Sequence, residues 1–271
     1  MIRRIVAPLV TIAALTALAC VDMSAPTGAA SISKLLLPSP SVVVGDTMRD
    51  STGAVAPLRV IAYDGKDTPI SGLATAFFIT DTAKLAHIAN SNLLVGDKQG
   101  SVRIVGQVTG VQTTAEPVPV TIAPTKFALA TTPALPDTLV VPYAGNGDTT
   151  STSTGTQAIA VTLKGAGDTA SLGFVVKYAL VSAPATVQGS AKPAVFIGPD
   201  ASKISPVDTT DASGASRSVI VKSGLLADAA LQGGTKVDSV VVLISTFYKG
   251  KPVPGSPIRV KFALKGKLVA P

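Results

Sequence analysis

The sequence predicts an all-β protein, two tandem β-sandwiches behind a short N-terminal export segment. Three observations point there. Of 16 acidic residues 15 are Asp and one, Glu116, is Glu, while Val occurs 33 times. Glu belongs to helix surfaces and Val to strands. The 271-residue chain is 46% hydrophobic but only 14% charged, against roughly 25% in ordinary soluble domains. That composition is too apolar for disorder. Short apolar–polar alternations also recur between turns rich in Gly, Asp, Ser and Thr, the pattern of half-buried strands.

The N-terminus reads as an address. Met1-Ile2-Arg3-Arg4 is basic, Ile5 to Ala19 carries no charge, and Ala17-Leu18-Ala19 precedes Cys20. Basic region, apolar core and small residues form an export signal. The core falls short of the about 20 residues of a bilayer span, and the rest of the chain is expected to hold no transmembrane helix. Cys20 is the sole Cys, so no disulfide forms within the chain. Its place resembles the lipobox of bacterial lipoproteins, although Ala17 stands where that family prefers Leu. The resemblance implies lipid attachment at Cys20, which becomes the new N-terminus. Two or three acyl chains there would hold a protein stably in a membrane. Ala17-Leu18-Ala19 also suits an ordinary signal peptidase, so plain secretion with a free Cys is the alternative. The expected division is a signal peptide at 1–19 and a lipidated tether at 20–31. Removing residues 1–19 leaves 21 basic and 16 acidic residues, lowering the formal charge from +7 to +5.

An internal repeat sets the architecture. Gly45-Asp46-Thr47 and Ser51-Thr52-Gly53 recur 102 residues on as Gly147-Asp148-Thr149 and Ser153-Thr154-Gly155. Asp67-Thr68 and Gly72 recur 101 residues on as Asp168-Thr169 and Gly173. Between these matches, strands are predicted at Leu58 to Tyr63 and Thr75 to Thr80. Their counterparts are Ile159 to Leu163 and Phe174 to Leu180. Val102 to Val108 and Pro117 to Ile122 close the first copy, and Ala123-Pro124-Thr125 reads as a linker. In the second copy, Ala194 to Ile197, Ser216 to Val221 and Asp238 to Tyr248 read as strands. In the last strand Ile258, Val260, Phe262 and Leu264 alternate with Arg259, Lys261, Ala263 and Lys265. The expected domains are 32–123 and a larger 124–271, with an insertion at about 181–237. Two units with about seven short strands each suggest immunoglobulin-type sandwiches.

Val42 to Thr47, Asp64-Gly65, Pro69 to Gly72 and Gly100 to Ile104 together resemble the opening half and a late strand of bacterial Ig-like domains. Thr210-Asp211-Ala212-Ser213-Gly214-Ala215 resembles the Thr-Asp-x-x-Gly turn of the invasin/intimin type. Phe77 or Phe78, and Tyr178, stand where that family carries a third-strand aromatic. The resemblance implies modules that act as spacers, stalks, adhesins or accessory domains.

The chemistry is sparse. His87 is the single His and Glu116 the single Glu, so no Cys/His metal cage is possible within the chain and no constellation of catalytic roles can be assembled; His87 reads as a half-exposed strand residue. No catalytic residues, no metal ligands and no cofactor are expected. Asp46, Asp64, Asp67, Asp208 and Asp211 read as loop residues, where Asp caps backbone N–H groups or ligates calcium; the spacing matches no calcium loop. After Asp238 the chain has no acid, while Lys249, Lys251, Arg259, Lys261, Lys265 and Lys267 follow. These form a patch for anionic polymer or lipid headgroups, or a Lys-protected edge strand. Aromatics at 4% and export both argue against nucleic acid.

The function expected is a non-catalytic, lipid-anchored protein of the cell envelope, periplasmic or on the surface, serving as structural spacer or display element. The alternative is an adhesin-like or carbohydrate-binding lipoprotein that uses second-domain loops, with Phe196 as an exposed anchor. Partners expected are the membrane, through the lipid, and envelope polysaccharide or another surface protein. The binding residues are unknown from sequence.

Overall fold

The computed structural model describes residues 30–132, 134–143, 153–227 and 238–268. The expected signal peptide, Cys20, most of the expected tether and Gly147-Asp148-Thr149 lie outside the described residues. Among the described residues, every regular element is a strand or a single 3-10 turn.

The first unit holds β1 (Ile32–Leu36), β2 (Val42–Val43), β3 (Arg59–Tyr63), β4 (Pro69–Ile70), β5 (Thr75–Ile79), β6 (Ala86–Ala89), β7 (Leu93–Gly96), β8 (Gly100–Val108), β9 (Val111–Gln112) and β10 (Glu116–Thr121). One sheet has the order β1-β3-β4 and the other β2-β10-β8-β5, with β9 folded back on β8; β6 and β7 form a separate hairpin. The second unit holds β11 (Pro124–Leu129), β12 (Thr138–Tyr143), β13 (Thr154–Gly165), β14 (Val175–Ser182), β15 (Val195–Gly198), β16 (Val207–Thr209), β17 (Ala215–Lys222), β18 (Asp238–Tyr248), β19 (Lys251–Pro252) and β20 (Ile258–Leu268). Its sheets run β11-β13-β17-β15 and β12-β20-β18-β14-β16, with β19 on β18.

Both units share one topological device. The opening segment pairs antiparallel in one sheet, β1 with β3 and β11 with β13. It then crosses to the other sheet and pairs parallel with the closing strand, β2 with β10 and β12 with β20. The closing strand lies antiparallel to its predecessor, β10 to β8 and β20 to β18. Two sheets joined this way around one core make an immunoglobulin-like sandwich. The repeat has a backbone counterpart. Asp67 and Asp168 have φ of 58° and 59°, and Gly72 and Gly173 have φ of 78° and 75°. Asp tolerates that left-handed region better than most residues and Gly adopts it freely. Ser51-Thr52-Gly53 and Ser153-Thr154-Gly155 behave differently: the first is a turn, the second runs into β13.

Alternation builds each core. Along β20, Val260, Phe262 and Leu264 are buried while Arg259, Lys261 and Lys265 are exposed. Leu94, Ile104, Met48 and Val118 centre the first core. Tyr178, Phe262, Val240 and Ile159 centre the second.

Two expectations change. The stretch Ala123-Pro124-Thr125 is not a free linker: β10 ends at Thr121 and β11 begins at Pro124, so only Ile122 and Ala123 separate the strands. Asp208 lies in β16, not in a loop. The basic strand β20 pairs with β18 over 258–264 and with β12 over 263–268, so among the described residues only Ala263 and Leu264 have a strand on both sides. Arg259, Lys261, Lys265 and Lys267 each stand where one side is open, which fits the edge strand expected.

Candidate functional site

The best-defined polar site joins the two sandwiches. After β2 the chain turns through Gly45 (φ 72°). Asp46 follows, and its Oδ1 accepts from the Thr47 N–H at 2.9 Å. Arg49, three residues on, donates from Nε to Asp46 Oδ2 and from Nη2 to Oδ1, both at 2.9 Å, and from Nη1 to the Gly53 carbonyl at 2.9 Å. That forked pair fixes the turn, since a guanidinium matches a carboxylate in two bonds. Asp50 tightens it further by accepting from the N–H groups of Thr52 and Ala54.

Against this turn packs the β18–β19 hairpin. Its central residues, Lys249 (φ 52°) and Gly250 (φ 72°), are both left-handed, as a two-residue I′ turn requires. The hairpin presents Tyr248, whose hydroxyl donates to Asp46 Oδ2 at 2.9 Å, and Lys249, whose Nζ lies 3.4 Å from the same oxygen. The backbones of the two turns touch: a Cβ on Gly53 would fall 2.0 Å from Gly250 N. Phe174 meets the Tyr248 ring edge-on at 5.9 Å.

Asp46 is only 10% exposed. Burial alone would raise its pKa. The hydrogen bonds from Arg49, Tyr248 and the Thr47 N–H, together with the Arg49 charge, outweigh that and hold it at about 2. Burial, and then the bond to ionised Asp46, push the Tyr248 phenol well above its usual range.

The contact continues away from the carboxylate. The fully buried Thr121 accepts through Oγ1 from the Leu172 N–H at 2.8 Å. Ser41 fills the space a side chain at Gly173 would need, and Val43 of the first unit belongs to the second unit's core. The remaining hollow is about 120 Å³, well under the roughly 300 Å³ of small-ligand sites. The arrangement is a fastening.

The other sequence candidates scatter. His87 sits on β6 at the surface, with Nδ1 2.8 Å from Asp97. Asp64 caps the N–H groups of Lys66 and Thr68, and Asp211 those of Ser213 and Gly214. Asp208 pairs with Arg217 at 2.9 Å and accepts from the Ser216 N–H. No group of three or more His, Cys, Asp or Glu gathers to hold a metal among the described residues. Phe196 is 6% exposed, with Lys222 Nζ 5.5 Å above its ring, so it is not an exposed anchor. Beside it, Tyr178, Leu180, Val195, Ile197, Ile204 and Val207 line an apolar hollow of about 460 Å³. Arg217 donates to the Ser205 and Val207 carbonyls of the strap between the sheets. Sequence reasoning missed Arg49, Tyr248 and Arg217. Only the i,i+3 spacing of Asp46 and Arg49 signals any of them.

No protein-family model matches the chain, and no curated protein matches it. Among solved structures, domains 4 and 5 of the S-layer protein SbsC align at 13% identity over 88% of this chain and 98% of theirs, with a TM-score of 0.29. The adhesin InvE of Yersinia pseudotuberculosis aligns at 18% identity over 85% and 58%, TM-score 0.31. The D00–D0 domains of intimin align at 14% identity over 85% and 99%, TM-score 0.24. TM-scores this low carry no argument, so the fold rests on the strand pairing and function on the chain's own residues.

Proposed function

We propose that the chain is an exported, non-catalytic envelope protein, anchored by lipid at Cys20, whose two sandwiches form a stiff spacer that carries a surface away from the membrane. The observation that supports this reading is the joint. Two connecting residues, a shared carboxylate with donors from both units and apposed backbone turns favour one fixed angle over a swinging pair. A spacer needs that stiffness, because a loose pair spends its reach on disorder. The anchor is tested by replacing Cys20 with Ser and following the chain between membrane and soluble fractions; unchanged membrane association defeats it. The stiffness is tested by small-angle scattering, where a broad distribution of interdomain distances defeats it.

A second reading has its own observation. The apolar hollow beside Phe196 has the size of a small-ligand site, and exposed Ile204 and Val207 line it. It favours a binding module in the second sandwich. Titration with a hydrophobic fluorescent probe, read against Ile204→Asp, separates the two: probe binding lost in the variant supports the module.

A further inference from the structure

We propose that the outward face of the six-stranded sheet docks a linear acidic polysaccharide. The proposal rests on the export reading above and names the partner that the spacer would meet. Strand register places the face. Val241 pairs with Lys261 and Leu243 with Arg259 across β18–β20. Val140 pairs with Lys265 and Pro142 with Lys267 across β12–β20, and Lys177 pairs with Ser245 across β14–β18. The inward partners of the same strands, Val242 with Val260 and Leu139 with Leu264, lie in the core. Arg259, Lys261, Lys265, Lys267 and Lys177 are all exposed and therefore share the outer side.

Among the described residues, no outward position on these strands is Asp or Glu. Asp208 pairs with inward Val176 and is neutralised by Arg217. Asp238 pairs with inward Leu264 and its Oδ1 accepts the Ser239 N–H. The face is thus a field of one sign without internal compensation. Neighbours at i,i+2 on a strand stand about 7 Å apart, so Arg259 and Lys261 repel each other, as do Lys265 and Lys267. An anion docked along the row would relieve that repulsion.

The shape of the field selects the anion. Four of the five cations stand in single file along one strand, over about 27 Å from residue 259 to residue 267. A row matches a chain of charges, whereas a headgroup plane would be met by cations spread over the sheet. Phe247, 46% exposed, and Val140, half exposed, lie on the same face. They offer apolar surface to the ring face of a sugar. Carboxylates would settle on the row and sugar rings on these side chains.

The test is calorimetric titration of the full chain with polygalacturonate, with neutral dextran and phosphatidylglycerol vesicles as controls. We expect binding to polygalacturonate alone, weakening as salt rises. In the double variant Arg259→Gln/Lys261→Gln it should weaken about tenfold, with an unchanged melting temperature. Equal binding by the variant, equal binding to dextran, or binding to vesicles without binding to the polymer overturns the proposal. The titration is run in solution. A failed Cys20 anchor therefore leaves this surface standing, and a failed surface leaves the anchor standing.

Discussion

Replacing Asp46 with Asn changes one oxygen for an amide while keeping the size of the side chain. The Asn oxygen still accepts from one donor. Its NH₂ must then face another N–H or O–H, from Arg49 or Tyr248, and the charge that organised Arg49, Lys249 and Tyr248 is gone. The magnitude follows from the titration. Asp46 moves from 3.8 in the unfolded chain to about 2 in the fold. At about 1.4 kcal/mol per unit, discounted for the partly exposed partners, its ionisation contributes about 1–2 kcal/mol. If both sandwiches melt together, the variant melts about 3–8 °C lower at pH 7. The folded pKa is depressed, so this stability is fully present above pH 3.8 and is lost as pH falls through about 2. The gap between native and variant proteins should hold from pH 7 to 5, narrow below 4 and close near pH 2. Urea melts of both proteins across that range measure it. A gap below 0.5 kcal/mol at pH 7, or one that persists unchanged at pH 2, refutes the reasoning.

Other outcomes follow from single side chains. Tyr178 is 1% exposed and its hydroxyl has no hydrogen-bond partner among the described residues. Tyr178→Phe should raise stability by about 1 kcal/mol in chemical melts; a loss of that size would show a bonded hydroxyl. Arg217→Ala removes the strap's bonds and leaves Asp208 unpaired, at about 2–3 kcal/mol. Hydrogen exchange should quicken at Ser205 N–H, which bonds to the Ile197 carbonyl at 2.9 Å; unchanged exchange there counts against the clamp. His87→Ala removes an exposed pair, so its melting curve should move by no more than about 0.5 kcal/mol.

What sequence made legible was local. β18 spans Asp238–Tyr248, as its apolar run predicts, and β20 shows its alternation residue by residue. The Asp67/Asp168 and Gly72/Gly173 repeat was readable because left-handed backbone admits few residue types. Strands such as β2, β4 and β16, of two or three residues, are too short for any period to register. The sheet switch of the opening strand was hidden as well, because pairing partners leave no periodic mark. The joint lay furthest from reach. Asp46 and Tyr248 stand 202 residues apart, and each alone reads as an ordinary turn Asp or an ordinary strand-end Tyr. Asp46 was visible as a candidate ligand for calcium, while the folded chain surrounds it with N–H and O–H donors.

The parallel pairing of opening and closing strands bears on how each sandwich would carry tension. Pull a unit by its N-terminal side and its C-terminal side, and two parallel strands slide lengthwise past each other. Their bonds must then break together, whereas an antiparallel pair pulled from adjacent ends opens one bond at a time. β12 and β20 register over six residue pairs, β2 and β10 over only two. Stretched from both ends, the chain would yield at the first sandwich and keep the second one folded. The weak link would lengthen under load while the second sandwich keeps its shape.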